Sequence, residues 1–269
     1  MLHLSPALTA YLLFVTAVLG LVMGSFAACM AGRIAVGESF LRGRSHCDAC
    51  GHVLTARDLV PVLSWLALGG RCRWCGARIP ARCPLTELLC AALFMGVVLR
   101  YDVTVQTAQY LILTVLLLAI ALVDWDTGLI PDGLLAAIAV DWLVFLPFLN
   151  GGAFWKNVLR GLAGGAAAFF PLLLLVLLMD RVLKRESMGG GDLKLFLVTG
   201  LFFSWKSVLF LLILSCILGV VFGLVSGKTT GDPENPRAFP FGPAIAAGVY
   251  LSLLTAETAV SAYLHLFQI

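Results

Sequence analysis

Charged side chains are scarce in this sequence. Only 12% of its 269 residues are Asp, Glu, Lys or Arg, whereas soluble globular domains average about 25%. Hydrophobic residues make up 61% of the chain, and the mean hydropathy is +1.00. This shortage of charge excludes an ordinary soluble domain and indicates a polytopic membrane protein.

Other features are missing too. No Lys or Arg precedes Arg33, and because a cleavable signal peptide needs a basic start, we expect the first apolar run to be retained as a membrane span. The four histidines are scattered, so none forms a plausible pair with a serine or cysteine nucleophile. The glycine repeats follow no predicted strand, which excludes a dinucleotide-binding fingerprint. We expect no nucleic-acid partner.

Eight apolar runs are candidates to cross the roughly 30 Å of bilayer hydrocarbon. The sixth is short, so its crossing is the least secure. The predicted fold is an all-α polytopic membrane protein of about eight transmembrane helices, with a small cytoplasmic zinc-binding module between the first two. The runs are Leu8–Met30, Leu85–Leu99, Val105–Val123, Leu134–Leu149, Val158–Met179, Leu195–Phe203, Val208–Val225 and Ala244–Leu266.

Basic residues predict the orientation, because cytoplasmic loops of membrane proteins are enriched in Lys and Arg. Eight arginines lie between the first two runs, from Arg33 to Arg82. If that loop is cytoplasmic, strict alternation places fourteen of the 18 basic residues on the cytoplasmic side and four on the other. The same alternation places both acidic stretches described below at the cytoplasmic face and both termini outside.

The main polar region, residues 37–84, contains two C-x-x-C pairs with a glycine directly after each pair. Two such knuckles, 21 residues apart, match the spacing of a four-thiolate zinc site. Two disulfides are the alternative, but they require an oxidising compartment. Because four thiolates leave no open position, we expect the zinc to be structural. The predicted ligands are Cys47, Cys50, Cys72 and Cys75.

Two acidic stretches each adjoin an apolar run: residues 124–132, which read DWDTGLIPD, and residues 188–192, which read MGGGD. Ionisable groups at the edge of hydrocarbon are candidates for function. We predict that Asp124 and Asp192 face each other and share one proton, so that one acts as base on a water and the other as acid. The glycines before Asp192 would let an extended peptide lie close to the enzyme backbone.

Alternatives remain at this point. Asp124 ends the third apolar run, but Asp126 is two residues away, and both acids also suit a solvated helix end. Asp132 is expected to cap the following helix, and Asp141, near the middle of a span, to bond to another helix. Glu87 has either a site role or a dipole or salt-bridge role. Paired membrane carboxylates would also suit an ion- or proton-coupled transporter, although we find no inverted repeat.

Short motifs follow one another in order along nearly the whole chain. They are Gly24, Ser25, Phe26 and Arg33, the four cysteines with Pro61–Trp65, then Arg82, Pro84 and Glu87, the stretch Asp124–Asp132, the residues Gly189, Gly191, Asp192, Lys194 and Leu195, and Pro240–Pro243. In this order the motifs resemble the prepilin peptidases, the type IV prepilin leader peptidase/N-methyltransferase family of GxGD-type intramembrane aspartyl proteases. Ala28, Ala35 and Cys83 depart from the family pattern.

The resemblance implies an enzyme of the bacterial inner membrane. It would cleave the basic leader of type IV prepilins or type II secretion pseudopilins at the cytoplasmic face, then N-methylate the new N-terminus from S-adenosylmethionine. The chain would divide into a first helix (1–36), the cysteine module (37–84) and a peptidase bundle (85–269). Beside the catalytic aspartates, the expected supporting or substrate-binding residues are Asp126, Gly189, Gly190, Gly191, Lys194 and Glu87.

Overall fold

The computed structural model describes residues 5–39, 43–149, 154–184, 187–226 and 239–266. Within these ranges the chain is helical and contains no β-strand, apart from two isolated β-bridges in the cysteine module. The all-α prediction is therefore confirmed. The α-helices are α1 Pro6–Ala35, α2 Leu63–Ala67, α3 Arg82–Tyr101, α4 Val105–Thr127, α5 Asp132–Phe145, α6 Phe154–Leu183, α7 Gly190–Gly200, α8 Trp205–Ser226 and α9 Gly242–Leu266.

An α-helix occupies all or most of each of the eight predicted apolar runs, although α5 and α7 end three or four residues before their runs do. Among the described residues, six helices are long and apolar enough to cross a membrane, namely α1, α3, α4, α6, α8 and α9. The other two helices are shorter: α5 has 14 residues and α7 has 11. At 1.5 Å per residue they reach only about 21 and 17 Å, so their crossing stays a prediction. The chain is a multi-pass membrane protein.

The chain forms two compact units, residues 1–122 and 123–269. The first contains α1, the cysteine module and α3, with α1 and α3 packed together. Glycines make this packing close: a Cβ on Gly20 would lie 2.6 Å from Ala91 Cα, and one on Gly24 would lie 2.8 Å from Glu87 Cα. These small residues of α1 thus form a packing seam with α3. The three-part division predicted from the sequence stays a prediction.

In the second unit, α7 packs against α6 through another glycine seam. A Cβ on Gly164 would overlap the carbonyl oxygens of Phe203 and Gly200, and a Cβ on Gly165 would lie 3.0 Å from the Leu197 carbonyl oxygen. The short α7 is therefore held by direct contact with a longer helix. This seam fixes the position of α7, whose first turn carries Asp192. The polar stretch at residues 228–237, whose prolines and glycine predict a cytoplasmic loop, lies outside the described residues.

Candidate active site and metal site

Asp124 lies in the last turn of α4. Its side chain is buried, with 4% exposure. The helix ends three residues later because Gly128 adopts a left-handed φ of 69°, which glycine tolerates without steric cost. The Thr127 hydroxyl donates to the Val123 carbonyl and accepts from the Leu129 N–H. These local bonds turn the chain sharply just after the buried carboxylate.

A backbone group from a distant segment holds the Asp124 carboxylate. The Gly242 N–H donates to Asp124 Oδ2 at 2.7 Å, and this hydrogen bond is buried. Gly242 is the first residue of α9, so the carboxylate lies at the positive end of a helix dipole. A Cβ on Gly242 would lie 2.7 Å from the same oxygen. Only glycine permits this approach without a shift, which gives the PFGP sequence at residues 240–243 a structural reason.

Asp192 lies in the first turn of α7, whose N-cap is Gly189. The backbone N–H groups of Asp192 and Leu193 donate to the Gly189 carbonyl at 3.1 and 3.5 Å. The Asp192 side chain is half-buried. Burial first, and the negative charge of Asp124 second, raise the pKa of Asp192 to about 7, against a lowering by the Gly189 backbone hydrogen bond. The two carboxyl groups are therefore close enough to interact electrostatically.

The two acidic stretches also meet through their backbones. A Cβ on Gly191 would lie 3.1 Å from Ile130 Cβ, so the chain beside Asp192 packs against the loop that follows Asp124. Gly189 and Gly190 are exposed, and a Cβ on Gly190 would meet no atom of the described residues within 4 Å. Packing therefore demands a small residue at Gly191 but leaves open space at Gly190.

The other acids of the first stretch are at the surface. Asp126 is exposed. Asp132 is the first residue of α5, not its N-cap, which is Pro131. Its predicted capping role is wrong, because its carboxylate Oδ1 accepts from Lys194 Nζ at 2.8 Å instead. This ion pair joins the N-terminal ends of α5 and α7, with both side chains more than half exposed.

Asp141 departs from expectation as well. Its side chain is buried in α5, with 5% exposure. Neither carboxyl oxygen has a hydrogen-bond partner among the described residues. The predicted bond to another helix is therefore wrong in this structure, and the structure gives Asp141 no role in the aspartate site.

Glu87 belongs to the first unit and lies in the second turn of α3. It is buried, with 7% exposure, and its Oε2 accepts the Val62 N–H at 2.7 Å. Val62 has φ 60° and ψ −50°, and the Leu63 N–H bonds back to the Pro61 carbonyl. This is a tight γ-turn with a positive φ, strained for a β-branched residue. Glu87 thus stabilises the strained turn that begins α2.

The four predicted cysteine ligands converge in the first unit. Their sulfur atoms all lie within 4.8 Å of one another, and Cys47 Sγ is 3.9 Å from Cys75 Sγ. Zinc–sulfur bonds of about 2.3 Å in a tetrahedron place the sulfurs about 3.8 Å apart. The thiols therefore fit a structural zinc ion. No disulfide forms among the eight cysteines, which all lie in the described ranges.

Each pair of cysteines forms the same tight turn. The Gly51 N–H donates to the Cys47 carbonyl at 2.8 Å, and the Gly76 N–H donates to the Cys72 carbonyl at 3.0 Å. Both glycines have positive φ, 70° and 71°, as the predicted turns require. Backbone N–H groups of Cys75 and then Trp74 lower the pKa of the Cys72 thiol to about 7, which favours the thiolate that a metal needs.

Sequence reasoning missed the part played by Gly242. The PFGP stretch was recognisable only as a pattern at the start of the last span. Its function depends on a contact 118 positions away in the chain, and no local periodicity reports such a contact.

A multi-pass helical bundle with two interacting carboxyl groups at helix ends, and a separate four-cysteine module, defines a class of membrane-embedded protein suited to acid–base chemistry. The model of the bacterial peptidase A24 N-terminal domain matches residues 18–101, and that of the type IV leader peptidase family matches residues 111–224. The chain belongs to the type IV leader peptidase family.

Similar curated proteins agree. The prepilin leader peptidase/N-methyltransferase of Myxococcus xanthus is 36% identical over 84% of this chain and 68% of its own length. That of Bacillus subtilis is 32% identical over 93% of this chain and 96% of its own length. That of Pseudomonas aeruginosa is 32% identical over 82% and 74%. No solved structure matches the chain significantly.

These relatives confirm the predicted enzyme class, a leader peptidase/N-methyltransferase, and favour it over the transporter alternative. With the six membrane-length helices, they also identify a multi-pass protein of a bacterial inner membrane.

Proposed function

We propose that this protein cleaves the leader peptide of type IV prepilins or type II secretion pseudopilins, with Asp124 and Asp192 as an aspartate dyad. The observation that supports the dyad is electrostatic. The charge of Asp124 contributes to raising the pKa of Asp192 to about 7, although the two residues come from different helices. Two neighbouring carboxyl groups with well-separated pKa values can provide one base and one acid at neutral pH.

The surroundings suggest which partner carries the proton. Asp124 accepts the Gly242 N–H at the N-terminal end of α9, an environment that favours a negative charge. Asp192, with its raised pKa, holds the proton in the resting enzyme. Asp124 then accepts a proton from water as the water oxygen attacks the scissile carbonyl carbon. Asp192 gives its proton to the carbonyl oxygen, which forms a neutral tetrahedral gem-diol.

Collapse of this intermediate completes the reaction. The C–N bond breaks, the leaving nitrogen takes the proton held by Asp124, and a hydroxyl of the intermediate returns a proton to Asp192. Each carboxyl group ends in its starting state. No covalent enzyme intermediate is formed, and the net change is the addition of one water across one peptide bond.

The glycines before Asp192 suit an extended substrate. Gly189 and Gly190 are exposed, and open space lies beside Gly190. A peptide backbone can therefore approach the enzyme backbone closely here, as in strand addition. We assign Gly189, Gly190 and Gly191 to substrate binding, with Asp126 and the Asp132–Lys194 pair at the margin of the site. The distribution of basic residues supports a cytoplasmic location for this site.

The remaining assignments concern the cofactors. The geometry of Cys47, Cys50, Cys72 and Cys75 supports a bound structural zinc ion. The N-methyltransferase names of the relatives support methylation of the new N-terminus with S-adenosylmethionine as methyl donor. Zinc would hold a module too small to be stabilised by its own core.

The test uses the purified full-length protein and a prepilin that retains its leader. Asp124→Asn and Asp192→Asn should each lower the cleavage rate by about 10²–10⁴-fold, the usual contribution of a positioned acid or base. Asp126→Asn is the matched control, because its carboxylate is exposed, and it should retain substantial activity. Normal cleavage by either dyad variant would refute the assignment. The mass of the cleaved product reports methylation in the same assay.

A further inference from the structure

A feature of the cysteine module is not explained by cleavage or by zinc. Helix α2 and the turn before it present leucines outward: Leu63 is 65% exposed, Leu66 is 61% exposed and Leu59 is 44% exposed. We call these three residues the leucine ridge. The packing of so small a module does not require such a ridge, and clustered exposed apolar side chains mark interaction surfaces.

A hydrogen bond to Glu87 connects the ridge to the start of α3. This residue lies five positions after Arg82, the first residue of α3, or roughly 8 Å along the helix axis. Its carboxylate accepts the Val62 N–H, directly before α2. Since α3 is a candidate membrane span, this bond places the start of α2 beside the first turns of a membrane helix. As a membrane span, α3 would place the ridge at the depth of the bilayer interface.

Trp65, which lies in α2 between Leu63 and Leu66, lines a concave region of about 410 Å³, whose lining among the described residues includes two arginines and no acidic side chain. Arg71 and Arg78 are both exposed, and no ion pair joins either of them to an acid in the part of the chain that the structure describes. By contrast, the neighbouring Arg73 donates to Asp58 at 2.9 Å. The lining residues are Trp65, Gly69, Gly70, Arg71, Arg78, Ile79, Pro80 and Ala81.

The geometry points to a membrane-docking surface on the cysteine module, in which the leucine ridge enters the bilayer interface and Arg71 and Arg78 bind the phosphate groups of anionic phospholipids. Apolar side chains beside uncompensated basic groups are the pattern of interfacial helices. The Trp65 indole, whose Nε1 donates to the Ile79 carbonyl at 3.1 Å, lines the same concave region as the two arginines. Such amphipathic rings favour the headgroup region.

The surface has a consequence for the module. Each basic group near an anionic membrane favours binding by about fivefold, the equivalent of about 1 kcal/mol. Docking would restrict the orientation of the knuckles relative to α1 and α3, within the first unit. The inference does not depend on the aspartate dyad, because its residues all lie in residues 59–87.

The test places the photoreactive residue benzoylphenylalanine at Leu66 of the full-length, zinc-loaded protein in vesicles of phosphatidylcholine, with or without phosphatidylglycerol. We expect illumination to give phospholipid adducts, identified by mass, and the yield to rise severalfold with phosphatidylglycerol. The R71Q/R78Q double variant should lose this rise. Arg44→Gln, an exposed arginine outside the concave region, should keep it. Zinc content checks that each variant is folded.

A second measurement uses the protein without the photoreactive residue. Backbone hydrogen exchange of residues 63–68 in the unmodified protein should slow when phosphatidylglycerol is added, and should not slow in R71Q/R78Q. Glu87→Gln should reduce the lipid adduct, since it weakens the bond that sets the depth of α2. Equal adduct yields in both lipids and in R71Q/R78Q would overturn the proposal. The proposal would also be overturned if the residue at Leu66 formed its adduct with added prepilin and not with phospholipid, because the ridge would then bind substrate.

Discussion

The cysteine module and the aspartate site are assembled in opposite ways. Each knuckle of the module is a local turn, closed by hydrogen bonds between residues four or five apart such as Gly51 to Cys47. The aspartate site combines the end of α4, the start of α7 and the start of α9, and one of its hydrogen bonds joins residues 118 positions apart. Spacing alone therefore determines the first site, whereas helix packing determines the second.

This difference predicts different weaknesses. A local thiolate site without a large apolar core depends on its metal, so loss of one ligand should release the whole module. A site made by packed helices depends on close backbone approach, so a single added methyl group can displace it. The following predictions test this contrast.

The largest effect is expected from loss of a zinc ligand. Cys72→Ser should lower zinc from about one ion per chain to near zero, because structural zinc contributes about 10–16 kcal/mol in small zinc-dependent folds. Protease should then cut within residues 43–81. Cys216→Ser is the control, since this thiol lies in α8 outside the module, and its zinc content should be normal. A Cys72→Ser protein that keeps its zinc would show that the module is not a four-thiolate site.

The next effect concerns packing at the aspartates. Gly242→Ala places a Cβ 2.7 Å from Asp124 Oδ2, so the carboxylate must move and its buried hydrogen bond must lengthen. We expect kcat for prepilin cleavage to fall by about 10²-fold, as for displacements of about 1 Å in other active sites. Gly133→Ala is the matched control, because a Cβ there meets nothing within 4 Å. Equal activity of both variants would separate Gly242 from catalysis.

A moderate effect is expected from pH. Asp192 must be protonated to act as acid, and its pKa is about 7. The value of kcat/KM should therefore fall as the pH rises above about 7, approaching tenfold per pH unit. Because this carboxyl pKa is raised in the folded state, Asp192 also makes the free energy of unfolding fall as the pH rises from about 4 to about 7.

The control for the pH profile is Asp132→Asn. That carboxylate is exposed and paired with Lys194, so its removal should leave the alkaline limb unchanged. A profile that stays flat well above pH 7 in the parent would contradict the assignment of Asp192 as the resting acid.

The sequence was sufficient for the helices and for the convergence of the four cysteines, because periodicity and local spacing each report a short-range requirement. It was insufficient where a long-range contact decides the outcome. Gly242 contacts Asp124 from a distant segment, in which the neighbouring Phe241 ring lies against Gly219 of α8 and is 6.4 Å from the Phe196 ring of α7. The predicted cap at Asp132 failed for the same reason, since Lys194 of another helix competes for its carboxylate.

The smallest effect should come from that Asp132–Lys194 pair, which distinguishes a surface ion pair from a substrate contact. Both side chains are more than half exposed, and such pairs contribute about 0.2–1 kcal/mol. Lys194→Met should therefore lower the melting temperature by no more than about 3 °C. The double variant Lys194→Met/Asp132→Asn should have the same melting temperature as Lys194→Met alone. High salt should remove the difference. Prepilin cleavage provides the contrasting readout: if Lys194→Met raises KM many-fold while Asp132→Asn does not, Lys194 binds substrate directly, and the long-range packing that brings α7 to α5 serves recognition as well as structure.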